Sequence, residues 1–363
     1  MLLHLLRANR RSPTASQVEY TLAFMSEGPM AEEAEALGYQ VRVFRAGRLR
    51  QLHRYARTVL GLAAWLRRER PLLAMSWMEK AHLYTAPAAC LAGTPTVWWQ
   101  WTIPKNDWLN RWVTRLPHTR RVVFCYSRAG QQAQQALSPP RPTRVIHLAV
   151  DLERFNPERL STPAEARSKL GLPARGPLIG ILARLQRWKG LDVFLEAAAR
   201  VLQVCPEARF VVVGGEHFGE LNYPAELVER ARRAGISEQV HFAGHQEERE
   251  VPLWIQALDI VVNASVPAEP FGMVIIEAMA LGKAVIAPQQ GGPLEIVSDG
   301  RDGLLVRPGD AATLASAILY LVERPDIRRA LGESARQRAQ QFGTDRFAAE
   351  LARRLAEVAQ GRE

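Results

Sequence analysis

The 363 residues include only three cysteines, Cys90, Cys125 and Cys205, far apart and with no CxxC pair. That spacing gives no support to a disulfide framework or a structural zinc site, and a reducing compartment is the simplest setting for such thiols. Residues 1–11 lack a basic leader before an apolar run and a small-residue cleavage site, so no secretory signal is expected. Long apolar runs are missing as well. No residue between Lys80 and Lys105 carries a formal charge, but Pro87, Gly93, Thr94, Pro95 and Gln100 interrupt the stretch, which fits a buried helix and strand better than a bilayer span. A soluble, cytoplasmic protein is the expectation. No repeat of fixed period and no low-complexity tract is present.

The length is too large for one ordinary domain and suits two, each burying its own core. A hinge is expected within 138–176, which is rich in proline and holds one short helix candidate at 164–170. This division gives domains at 1–150 and 151–363. The net charge of +10 is uneven: residues 1–150 hold 21 Arg or Lys against 8 Asp or Glu, so the first half is +13 and the remainder −3. Arg45, Arg48, Arg50, Arg54, Arg57, Arg67, Arg68 and Arg70 cluster around a segment whose Leu52, Tyr55, Val59, Leu62 and Leu66 recur at helical spacing. A single such helix reads as a solvated outer face. Across a whole half, attraction to an anionic membrane surface or an acidic acceptor becomes equally good. Nucleic acid is not expected, because no zinc-finger spacing or RNP-type aromatic pattern accompanies the charge.

Short β-branched runs alternate with amphipathic ones. Strands are expected at 40–44, 72–76, 96–100, 121–125 and 144–147 in the first half, and at 178–183, 210–213, 240–243, 260–263, 284–287 and 304–306 in the second. The rhythm predicts α/β architecture, two parallel sheets covered by helices and facing each other across a cleft. Ligands of such sheets sit beyond the carboxyl ends of the strands, so the residues following each run carry the chemistry.

Glu269-Pro-Phe-Gly-Met-Val-Ile-Ile-Glu277 follows one such strand. Gly272 opens a helix that is apolar all round except for Glu277, and a carboxylate on a buried helix needs hydrogen-bond partners, either ligand hydroxyls or neighbouring protein groups. The helix start offers backbone N–H groups and a positive dipole end to a phosphate. Arg184-Leu-Gln-Arg-Trp-Lys189-Gly190 follows the first strand of the second half. Its Arg184 and Lys189 can neutralise charge on a departing diphosphate, although cations at strand ends are commonly just solvated. Gly214 and Gly244, each directly after a strand, let backbone approach a ligand or simply make turns. In the segment from Gly291 to Glu295, Glu295 either caps a helix or meets a ligand.

This ordered set resembles the signature of retaining glycosyltransferases of family four, two glutamates at Glu269 and Glu277 with Arg184, Lys189, Gly214, Gly244, the Gly291 segment and Asp302-Gly-Leu-Leu-Val306 around them. The resemblance covers most of the second half closely and the first half loosely. It implies a GT-B fold, two Rossmann-like domains facing across a cleft. It further implies that Arg184 and Lys189 bind the donor diphosphate, Glu277 the ribose hydroxyls and Glu269 the transferred sugar, with Phe271, Gly272 and Met273 lining the donor through their backbone. The implied reaction moves a hexose from a nucleotide sugar to a saccharide or lipid-linked acceptor with retention. No metal cofactor is implied, and the sequence contains no Asp-x-Asp motif. The basic half would sit on the inner membrane face.

The first half departs from the family in two places. No glycine-rich loop precedes Gly28, so residues 1–10 are either a degenerate first strand or the first helix of a domain lacking that strand; the second is preferred. Trp101 stands where the family commonly has histidine, and an indole cannot take a proton. His82 is an alternative group on the acceptor side, though a lone histidine is more often structural. Trp98, Trp99 and Trp101 fit core packing better than sugar stacking. A nucleotide-sugar-binding protein whose acceptor half has decayed is the alternative function, and a nucleotide-sugar isomerase would share the fold.

Overall fold

In a computed structural model of the chain, residues 1–11, 18–47, 50–116, 122–137, 142–216 and 219–361 are described. Arg48, Arg121 and residues 138–141 of the expected hinge lie outside them. Two compact units emerge, Met1–Leu148 with Thr344–Glu363, and Ala149–Gly343.

In the first unit β1 (Thr21–Phe24) pairs in parallel with β2 (Gln40–Val43). A second parallel sheet runs β3 (Ala74–Trp77), β4 (Thr96–Gln100), β5 (Val123–Cys125), β6 (Thr143–Val145). Every residue of β4 is buried, as a parallel strand covered on both faces must be. Residues Leu2–Arg11 form a helix, which removes the degenerate-strand reading. Its leucines recur at helical rather than alternating spacing. Leu5 and Leu6 are buried, Tyr39 Oη donates to the Leu6 carbonyl at 2.7 Å, and Asn9 Nδ2 donates to that hydroxyl at 3.1 Å. No strand precedes β1 among the described residues.

A domain running from 151 to 363 would have kept the closing helix, Thr344–Ala359, in the second unit, but the structure returns it to the first. The reason is its apolar face: Phe347, Leu351, Leu355 and Val358 are buried at helical spacing, and the Phe347 ring lies 5.6 Å from Trp99.

The second unit holds one parallel sheet of six strands: β7 (Leu178–Leu182), β8 (Arg209–Val213), β9 (Val240–Gly244), β10 (Ile260–Val262), β11 (Ala284–Pro288) and β12 (Leu304–Val306). Their order across the sheet is β12-β11-β10-β7-β8-β9. The chain therefore winds outward from β7 in one direction, then returns to place β10 on its other side. This reversal opens a crevice between the carboxyl ends of β7 and β10, the place where open α/β sheets bind ligands. The core beneath it is built from Ile179, Ile181, Phe194, Phe210, Val212, Ile260 and Ile286.

Beneath the opposite, amino end of the sheet Arg167 acts as a clamp. Its Nη2 bonds Asp259 Oδ2 at 2.6 Å, its Nε the Ala257 carbonyl at 2.9 Å and its Nη1 the Gly176 carbonyl at 3.1 Å. Asp259 Oδ2 also accepts from the Leu178 N–H at 2.8 Å, so one partly buried ion pair ties β7 to the approach of β10.

Candidate active site

Three loops converge at the switch point. The loop after β7 carries Arg184 to Gly190, that after β10 carries Asn263 to Gly272, and that after β11 carries Gln289 to Gly292. They are locked by backbone: the Val266 N–H donates to the Trp188 carbonyl and the Gly292 N–H to the Glu269 carbonyl, at 2.9 and 2.8 Å. Gly190 adopts φ +67°, and a Cβ there would come within 1.9 Å of the Ala264 carbonyl oxygen, so only glycine lets the first two loops touch. The third loop makes the same demand at Gly291, where a Cβ would meet the Glu269 carbonyl oxygen at 2.5 Å.

Inside this frame Lys189 Nζ donates to Glu269 Oε2 at 2.6 Å, and Ser265 Oγ donates to the same oxygen at 2.6 Å. The Asn263 side-chain carbonyl in turn accepts from the Ser265 N–H at 3.2 Å. Glu269 is 5% exposed and the Lys189 side chain 16%, which makes this a desolvated pair rather than a surface salt bridge. Burial pulls the Lys189 ammonium below the ordinary lysine range, and nearby Arg184 adds to that, while Glu269 opposes it. Arg184 itself is exposed at the carboxyl end of β7. Two cations thus stand near one another, one of them bonded to a carboxylate.

The Met273–Ala280 helix starts at Gly272, whose φ of +106° turns the chain into it, and no side chain caps that start among the described residues. Its first N–H groups are therefore available to an anion beside Lys189. One turn further on, Glu277 is half-buried. Desolvation pushes its carboxyl up to about 7, against the opposing pull of the Arg154 guanidinium. Arg154 is held by Glu248 at 2.6 Å. Such a carboxyl is poised to ionise when a ligand supplies hydroxyl donors.

Phe271 is buried and meets Phe342 edge-on at 6.1 Å, so its ring is spent on packing, and Met273 is half-buried beside it. Gly214 closes against the neighbouring loop, where a Cβ would meet the Ala183 carbonyl oxygen at 1.8 Å, and its N–H donates to the Gly244 carbonyl at 2.9 Å. Gly244 itself is exposed. Glu295 sits in the short Pro293–Ile296 helix, where its carbonyl accepts from Arg338 Nη2 at 2.9 Å.

The two first-unit candidates are placed differently. His82, 1% exposed, stacks on Trp98 with centroids 4.9 Å apart, and its Nδ1 lies 3.1 Å from Ser76 Oγ. This is a core position, the structural alternative for that histidine. Trp101 follows β4, half-buried against Trp77 at 5.7 Å and Tyr126 at 5.8 Å. Ser265, Asn263 and Arg154 had no motif to mark them. Ser265 and Asn263 could have been suspected from their position directly after β10, whereas nothing in the sequence joins Arg154 to Glu277.

Comparison with known proteins bears on this geometry. The family model for glycosyl transferases group 1 matches residues 163–338, and that for glycosyltransferase family 4 matches residues 14–154. The chain is 30% identical over 308 residues to a D-inositol 3-phosphate glycosyltransferase of Corynebacterium urealyticum, covering 80% of this chain and 68% of that protein. It is 34% identical over 234 residues to the protein of that name from Salinispora arenicola, covering 62% of this chain and 52% of that one. The chain spans about half the length of several curated relatives it matches. It also resembles the crystal structure of Anabaena Alr3699/HepE in complex with UDP and glucose, at 26% identity and TM-score 0.81, covering 98% of this chain and 96% of that one. Two Rossmann-like α/β units with a loop-lined switch point in the second define the GT-B class of fold. Within that class, the chain belongs to the group 1 glycosyltransferases of family four.

Proposed function

We propose that the chain is a retaining glycosyltransferase that moves a hexose from a nucleotide-diphosphate sugar to a polysaccharide- or lipid-linked acceptor. The observation that carries this reading is the buried Lys189–Glu269–Ser265 cluster at the switch point, beside an uncapped helix start and exposed Arg184. A diphosphate arriving there competes with Glu269 for Lys189. Arg184, Lys189 and the helix N–H groups then take up charge as the bond from anomeric carbon to diphosphate oxygen breaks and its electron pair leaves with the diphosphate. Glu269, released, turns to a sugar hydroxyl. The acceptor oxygen bonds to the anomeric carbon on the face the diphosphate leaves, and its proton passes to the departing phosphate oxygen. Glu277 holds the ribose hydroxyls. The cations carry out this role without a metal. The complexes of Anabaena Alr3699/HepE with UDP and with UDP-glucose support a uridine nucleotide as the first donor to test. The basic first half supports work at the cytoplasmic face of an anionic membrane.

Trp101 favours a second reading, a binding protein that holds a nucleotide sugar without turning it over. A panel of UDP-, GDP- and ADP-sugars, with binding and slow hydrolysis followed for each, separates the two. Binding with hydrolysis of one donor supports the enzyme, and binding of a donor that is neither hydrolysed nor transferred to any acceptor supports the second reading. Failure to bind any of them refutes both.

A further inference from the structure

The loop leaving the carboxyl end of β4 runs through Trp101 into a short helix, Trp108–Thr114. That helix is firmly mounted. Asp107 Oδ1 accepts from the Asn110 N–H at 2.8 Å, Thr114 Oγ1 donates to the Asn110 carbonyl at 2.8 Å, and Gln134 Nε2 donates to Thr114 Oγ1 at 3.2 Å. Its inner face is spent on Val113 and Thr114, each 1% exposed. Its outer face is not that of a solvated helix: Trp108 is 78% exposed, Trp112 49% and Leu109 42%. Trp108 and Trp112 stand one turn apart, so their rings share one side. Around them Lys105, Arg111 and Arg115 are exposed, and the acid in this stretch, Asp107, is engaged in capping.

We propose that Trp108, Leu109 and Trp112 form a wedge that enters the headgroup region of an anionic membrane, with Lys105, Arg111 and Arg115 meeting the lipid charges. Indole rings beside a ring of cations are the composition of an interfacial anchor, because the rings favour the boundary between water and hydrocarbon while the cations favour anionic headgroups. A saccharide stacking site would need one or two rings and no such fringe of charge. A protein partner would find three cations in a unit that is already +13 over residues 1–150, a field suited to a negatively charged surface. The inference deepens the membrane contact of the preceding reading and rests on it, but does not depend on donor chemistry. It places the anchor at the carboxyl end of the first-unit sheet, so a lipid-linked acceptor would be presented from the surface that holds the enzyme.

The test is sedimentation of the full chain with phosphatidylcholine vesicles and with vesicles of phosphatidylcholine and phosphatidylglycerol at 7:3, in low and physiological salt. The wild type should bind the anionic vesicles, with part of its fluorescence quenched by brominated acyl chains. Trp108→Ser with Trp112→Ser should lose at least tenfold in partitioning and most of that quenching, with UDP-sugar binding unchanged as the check on folding. Arg111→Gln with Arg115→Gln should weaken binding by roughly fivefold per cation at low salt. Equal binding by the tryptophan variant would overturn the wedge while leaving charge-driven attachment standing. Absence of wild-type binding to both vesicles would remove the wedge and the membrane contact together. A wild-type dimer that the tryptophan variant converts to monomer, with no vesicle binding by either, would assign the face to a second copy and overturn the proposal.

Discussion

Donor affinity should depend on pH through Glu277. Desolvation raises its carboxyl from an ordinary 4.5 to about 7. Ribose hydroxyls donate to it best when it is ionised and acceptor-only. With an ionisation midpoint near 7, about 3% of the protein is binding-competent at pH 5.5 and about 90% at pH 8, so the Kd for a nucleotide sugar should be about thirtyfold weaker at the lower pH. The diphosphate of a nucleotide sugar keeps both charges over this range, so the ligand adds no titration of its own. Calorimetry in buffers of differing ionisation enthalpy should also record roughly 0.8 proton released per donor bound at pH 6.5. Stability gives a second reading of the same group. A carboxyl raised in the folded state favours folding below its unfolded value near 4.5, and that advantage is lost as pH rises through about 7. Glu277→Gln should therefore stabilise the ligand-free protein at pH 8 by about 2 kcal/mol, the full shift being discounted for half-burial. Equal wild-type affinity at pH 5.5 and 8, or an unchanged pH dependence in Glu277→Gln, would refute the reasoning.

Lys189→Ala and Arg184→Ala should each lower turnover by about a hundredfold, the scale for removing a preorganised charge from a transition state; initial rates with saturating donor decide this, and near-normal turnover in both would sink the assignment. Ser265→Ala removes one of the two donors to buried Glu269 Oε2, and should weaken donor binding or turnover by a factor of about ten, read from kcat/KM. Arg167→Ala leaves Asp259 with only its backbone donor and should cost the second unit about 3 kcal/mol in urea unfolding, with donor affinity unchanged because the clamp lies at the far end of the sheet. Exhaustive chelation should leave turnover intact, and loss of activity restored by a divalent cation would contradict the cation-only treatment of the leaving group.

The strands of the second unit were legible because parallel strands buried on both faces read as continuous apolar runs, as in Leu178–Leu182 and Ala284–Pro288. β1 was missed. It has four residues, none of them buried, too short and too exposed to show the apolar run or the alternation that marks a strand, although Gly28 and Pro29 punctuate the chain after it. For residues 1–10 the helix is the preferred reading and the structure has it, with Leu2, Leu3, Leu5 and Leu6 at helical spacing; what the sequence does not show is the hold of Tyr39 on the Leu6 carbonyl. The return of the closing helix to the first unit could not be read, since the partner of Phe347 is Trp99, far back in the chain. At the site, parallel-sheet logic was enough to bring Lys189 and Glu269 to one edge across 80 positions of sequence. It could not foresee that they bond each other, nor that Ser265 completes the cluster, because those are matters of loop packing around Gly190 and Gly291.

The central claim is that the diphosphate of the donor occupies the switch point between β7 and β10, and a crystal structure of the chain with UDP tests it most directly. The account predicts phosphate oxygens within hydrogen-bond distance of Arg184 and Lys189 Nζ, Lys189 drawn away from Glu269, the Met273–Ala280 helix start facing the anion, and the ribose on Glu277. UDP bound elsewhere, or bound with the Lys189–Glu269 pair undisturbed and Glu277 untouched, would contradict it.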